Sequence, residues 1–159
     1  IYGKIYFPDL LRLKAIEKDL DFFYEDKEWR SIQPEKATEA YVERISELSD
    51  TWVEGLVAHH YTRYLGDLSG GQVLRRIITK TFKLSGNEGR AFYDFPEILD
   101  YGAFKTKYRG LLDGMNLDEE SIQKIIDEAN LAFSMNRDVF DSMYDLFFEN
   151  QELAPDTSH

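Results

Sequence analysis

Apolar residues recur along this chain every three or four positions, the spacing of one face of an α-helix, and nowhere alternate convincingly as a strand would. Pro8 suits a first helical turn, and after it Leu10, Leu13, Ile16, Leu20 and Tyr24 fall on one face. A second predicted helix starts near Pro34 and carries Ala37, Ala40, Tyr41, Ile45 and Leu48. The third is predicted from about Glu54 to Phe82, with Leu56, His60, Tyr64 and Leu68 on one side and Val73, Ile77 and Ile78 beyond. The stretch "LSGNEG" (84–89) reads as a loop, Pro96 as a turn, and Tyr101 to about Met115 as a fourth helix. A last helix opens with acids in its first turn, which suits the helix dipole. It repeats Ile122, Ile125, Ile126, Ala129, Phe133, Asn136 and Phe140. The pattern predicts an all-α protein with one helical domain over 1–150 and a polar tail over 151–159.

One stretch breaks the pattern. "YTRYLGDLSGGQ" (61–72) places Gly66, Gly70 and Gly71 inside the third helix, where each glycine costs about 0.5–1 kcal/mol relative to alanine. Two accounts fit. Gly66 is a C-cap and Gly70/Gly71 a linker between two ordinary helices, or the helix continues with a kink because something flat lies against its backbone. On a continuous helix Gly66 and Gly70 share a face, with Asp67 beside that window and Tyr61 and Arg63 one turn upstream.

Composition narrows the classes. With 159 residues, 43% of them hydrophobic, the chain can bury a core of its own. The absence of cysteine excludes a disulfide scaffold, thiolate metal sites and a cysteine nucleophile, and fits a cytosol-like compartment. No apolar run approaches the roughly 18 residues of a membrane span. Thirty acids against 19 bases give a net charge of -11, which argues against nucleic acid as a partner. The bases cluster, however: Arg75, Arg76, Lys80, Lys83 and Arg90 form one basic island, and Lys105, Lys107 and Arg109 a second.

"LVAHHYTRYLGDLSGGQVLRRI" resembles the signature of the biliverdin-forming heme oxygenases. "IYFP", "AFYDFPEI", "FKTKYRGLLDGM" and "DEANLAFSMNRDVF" each resemble a family segment in the same order. The similarity spans essentially the whole chain and is nearest the plant and cyanobacterial style. It implies a helical bundle in which heme, both substrate and cofactor, lies under a kinked glycine-rich distal helix. There O2 and electrons convert it to biliverdin, ferrous iron and carbon monoxide. By this resemblance Gly66 and Gly70 contact the porphyrin, Gly71 permits the bend, and Asp67 anchors a water network that delivers protons to activated oxygen. Lys105, Arg109 and the Tyr61 hydroxyl meet the propionates, and Phe133 and Phe140 wall the pocket.

The family's proximal histidine lies upstream of "IYFP", outside these residues, so residues 1–150 are expected to be an N-terminally incomplete catalytic domain. His59, His60 and His159 are the histidines present; the resemblance gives His59 a structural role, and no metal ligand is assigned. The implied electron donor is a ferredoxin or a flavoprotein reductase, and the implied location the cytoplasm or, in a plant or alga, the plastid stroma. A non-catalytic relative that sequesters or transfers heme is the competing expectation; a broken Gly66–Asp67–Gly70 motif would favour it.

Overall fold

A computed structural model describes residues 2–25 and 28–152. The described residues form helices and turns without a strand. The α-helices are α1 (Leu13–Phe23), α2 (Lys36–Thr51), α3 (Leu56–His60), α4 (Gly70–Thr81), α5 (Tyr101–Asp113) and α6 (Glu119–Glu152). A π-helical turn, Tyr61–Leu65, follows α3, and short 3-10 turns include Pro8–Leu10 and Ala91–Tyr93. No described helix is long and apolar enough to cross a membrane. Of the predicted tail, Gln151 and Glu152 end α6, while 153–159, including His159, lie outside the described residues.

The chain forms two compact units. The first combines residues 1–32 with 60–122. Its core gathers Leu10, Leu68, Phe95 and Ile98, with Phe7, Tyr64, Tyr101 and Phe104 packed around them. The helix expected directly after Pro8 is instead a 3-10 turn, and α1 begins only at Leu13. Leu11 between them is extended, at φ -63°, ψ 127°. Arg12 accounts for the interruption. Its guanidinium donates to the carbonyls of Leu10 (3.1 Å), Asp9 (3.0 Å) and Asp94, and lies 3.9 Å from the Phe95 ring centroid. The predicted apolar face therefore divides: Leu10 is fully buried while Leu13 is 70% exposed. On α1 it is Asp19 that turns inward, accepting the backbone N–H groups of Ala91 and Phe92 at 2.7 Å each.

The second unit combines residues 33–59 with the described residues from 123 onward. Glu128 of α6 is its polar centre. Arg44 donates to both carboxylate oxygens of Glu128, from Nε at 3.0 Å and Nη2 at 2.5 Å. The pair holds Arg44 fully charged, and its hydrogen bonds, with that of His59, overcome burial and lower the Glu128 pKa. At Gly55 a Cβ would lie 2.8 Å from the side chains of Leu48 and Trp52, so any larger residue there would force one of them to shift.

Candidate functional site

The glycine-rich stretch belongs to the first unit, and its backbone resolves the two accounts of the sequence. Gly66 is no C-cap: it stays helical, at φ -59°, ψ -49°. The break falls two residues later, at Leu68–Ser69, where Ser69 adopts φ -121°, ψ -88° and α4 restarts at Gly70. Just before it, the wide π-helical turn carries Tyr61, Thr62, Arg63, Tyr64 and Leu65. Such turns shift register within a helix and recur at functional sites.

The break leaves backbone carbonyls without helical partners, and Gln72 supplies one replacement. Its amide Nε2 donates to the Asp67 carbonyl at 3.1 Å and to the Tyr93 carbonyl at 2.9 Å. One side chain thereby seals the kink and ties it to the 3-10 turn at Ala91–Tyr93. The three glycines then differ in kind. A Cβ on Gly66 or Gly70 would meet nothing within 4 Å, so both present bare backbone to open space. A Cβ on Gly71 would lie 3.1 Å from Tyr93 Cδ1. Gly71 sits inside α4, beyond the bend, and makes room for the Tyr93 ring.

Asp67 lies between the two open glycines but turns into the protein, with 1% of its surface exposed. Arg63, one turn earlier, donates to Oδ2 from Nε at 3.1 Å and to Oδ1 from Nη2. Burial raises the Asp67 pKa, and the Arg63 contacts oppose that rise without cancelling it. The result is a buried carboxylate with raised proton affinity, flanked in sequence by the two open glycines.

The edge of this surface is cationic. From α5, Lys105 donates through Nζ to Ser69 Oγ at 3.0 Å, at the break itself. Arg109 follows one turn on and is exposed. Tyr108 between them is fully buried, its hydroxyl 2.6 Å from His60 Nδ1. Burial lowers His60 to about 4 and raises Tyr108, so imidazole and phenol are both neutral at pH 7. Tyr61, whose ring centroid lies 6.4 Å from that of Tyr108, completes this side.

These residues belong with a family model. The model described as heme oxygenase matches residues 1–142. The chain belongs to the heme oxygenase family. A heme oxygenase of Rhodella violacea is 47% identical over 150 residues, covering 94% of this chain and 63% of the relative. Heme oxygenase 1 of Nostoc is 49% identical over 144 residues, covering 90% of this chain and 60% of the relative. The crystal structure of Synechocystis heme oxygenase-1 in complex with heme superposes with a TM-score of 0.89 at 40% identity. That match covers 96% of this chain and 69% of the crystallised one. The chain thus spans 60–63% of the length of these curated relatives.

Heme fits the geometry of the first unit. Bare backbone at Gly66 and Gly70 admits a flat macrocycle that a side chain would hold off, and Lys105 and Arg109 offer donors to its carboxylates. In the second unit, Phe133 and Phe140 stand seven residues apart on α6, 59% and 64% exposed, and form an aromatic stripe. His59 in that unit is 2.8 Å from Glu128 Oε1 through Nε2 and 3.3 Å from the Tyr41 hydroxyl through Nδ1. Asn136 donates to that hydroxyl at 3.0 Å. Sequence reasoning missed the parts played by Ser69, Gln72, Tyr93 and Tyr108. Arg63 carried a signal in its i, i+4 spacing to Asp67; the others carried none.

Proposed function

We propose that the protein is a heme oxygenase that opens heme to biliverdin, ferrous iron and carbon monoxide, using O2 and electrons delivered singly. The observation that carries this reading is the pairing of two open glycines, Gly66 and Gly70, with the buried carboxylate of Asp67 between them. Bound heme supplies both the iron that activates O2 and the carbon skeleton that is cut. This chain's residues do the rest. Gly66 and Gly70 bring backbone within contact of the ring, and the crowding limits which edge is exposed to attack. Asp67, oriented by Arg63, supplies protons through water rather than by direct contact. Lys105, Arg109 and Tyr61 fix the ring's rotation through its propionates. A protein that only sequesters heme needs no such buried carboxylate, so the intact motif favours catalysis.

The donor in this reading is a ferredoxin or flavoprotein reductase, working in the cytoplasm or plastid stroma. An acidic donor meets a chain of net charge -11 and must use its basic island, because charge complementarity chiefly sets encounter rate. Arg76 and Lys80, both exposed on α4, are the proposed contacts. The test is turnover of the heme-loaded full-length protein. Ascorbate-driven and ferredoxin-driven reactions should both yield biliverdin absorption and carbon monoxide. The pair Arg76→Glu and Lys80→Glu should slow only the ferredoxin-driven reaction and flatten its salt dependence. Bound heme that yields no biliverdin with either reductant would overturn the enzymatic reading; equal slowing with both would overturn the docking.

A further inference from the structure

Beyond the glycine surface, the first unit holds a second feature on α4, which includes the Arg76 and Lys80 proposed to meet the electron donor. The loop after α4 folds back onto that helix and Arg90 pins it there. Its Nη1 donates to Thr79 Oγ1 at 2.9 Å and its Nη2 to the Gly86 carbonyl. Thr79 is itself fixed, donating to the Arg75 carbonyl at 2.7 Å. Together Arg75, Arg76, Thr79, Lys80 and Arg90 line a cleft of about 210 Å³.

Four of those five side chains are cationic, on a protein of net charge -11. Asp94 balances one of them loosely, its Oδ1 3.6 Å from Arg75 Nη2. The Nε groups of Arg75 and Arg90 are buried and have no hydrogen-bond acceptor. Like charges gathered in a concavity repel, and buried donors left unmet cost free energy of their own. A compact dianion rich in acceptor oxygens relieves the repulsion. Guanidinium forks match phosphate geometry bidentately, and a lysine adds a point charge. The volume lies below the roughly 300 Å³ at which drug-sized ligand pockets begin, which selects a phosphate group over a whole nucleotide.

We propose that this cleft binds a phosphate dianion, as the free ion or as the terminal group of a small ester. The test follows the arginine Nε–H resonances of the ¹⁵N-labelled full-length protein at constant ionic strength. Sodium phosphate, glycerol 3-phosphate and sodium acetate are titrated in parallel. The Arg75 and Arg90 signals should shift saturably with phosphate and stay still with acetate. Binding of the ester as well assigns the site to a terminal phosphate, and binding of phosphate alone to the free ion; either supports the proposal. Arg76→Ser combined with Lys80→Ser, both exposed positions, should weaken phosphate binding about tenfold or more, with unchanged helicity by circular dichroism. The absence of saturable shifts, a response to acetate equal to that to phosphate, or wild-type affinity in the folded double variant would overturn it.

Discussion

Arg63 holds both carboxylate oxygens of Asp67 from one turn away, through Nε and Nη2, in a pair whose acid is 1% exposed. The pair does not make the carboxylate comfortable: burial still raises its pKa. A raised acid pKa means that the folded state at neutral pH carries a desolvated charge the unfolded chain does not, a cost relieved as pH falls through the folded value. Asp67→Asn should therefore match or exceed the wild-type Tm at pH 7. The difference should shrink toward pH of about 4, near the unfolded carboxylate value. A variant clearly less stable at pH 7 would show that the pair serves the fold.

Asp67→Ala should bind heme nearly as well as wild type yet lose biliverdin formation, because the proton relay goes while the glycine surface stays. Turnover near the wild-type rate would remove Asp67 from the mechanism.

Gly71 and Gly55 answer to packing. Gly71→Ala puts a Cβ 3.1 Å from Tyr93 Cδ1, and the ring, tied at its backbone by Gln72, has to shift. We expect a loss of about 1 kcal/mol, read as a lowered Tm without heme. Gly55→Ala, against Leu48 and Trp52 at 2.8 Å, should lose more. A neutral Gly71→Ala would return that glycine to the role of a hinge.

Much of this was legible in the chain. The fold class, α5 and α6 followed from periodicity, and one contiguous motif marked the glycine-rich stretch where the helix breaks. What escaped depends on partners distant in sequence. The break at Leu68–Ser69 is sealed by Gln72 against the carbonyl of Tyr93, 21 residues on. Asp19 turns inward because two N–H groups, 72 and 73 residues away, need an acceptor. Arg12 interrupts the first helix by gathering carbonyls from Asp9, Leu10 and Asp94. Local pattern encodes none of these contacts, and Gly71 read as a hinge because Tyr93 was out of view.

His60 supplies a pH signature. Burial lowers it from its ordinary 6.5 to about 4, against the Tyr108 hydroxyl. A depressed histidine lets the unfolded chain take up a proton first, so its stability contribution is complete above about 6.5 and is lost as pH falls toward 4. His60→Gln should show a shallower loss of Tm across that window. An identical slope in both proteins would contradict the neutral pair.

Lys105→Ala with Arg109→Ala should weaken heme binding, each charge-assisted bond being worth on the order of 1–3 kcal/mol and less where solvent reaches it. The ring should also lose its fixed rotation. Product analysis of the double variant should find mixed biliverdin isomers; one unchanged isomer would count against the propionate assignment.

On the proposed function, Gly66 is kept bare for the heme ring and not for the fold, and Gly66→Ala tests this most directly. The residue is helical with open space where the Cβ would stand, so alanine should stabilise the heme-free protein by about 0.4–1 kcal/mol. That is a rise in Tm of roughly 1–4 °C for a chain of this size. The same variant, loaded with heme and given reductant, should form biliverdin far more slowly than wild type. A lowered Tm, or biliverdin at the wild-type rate and yield, would contradict the account.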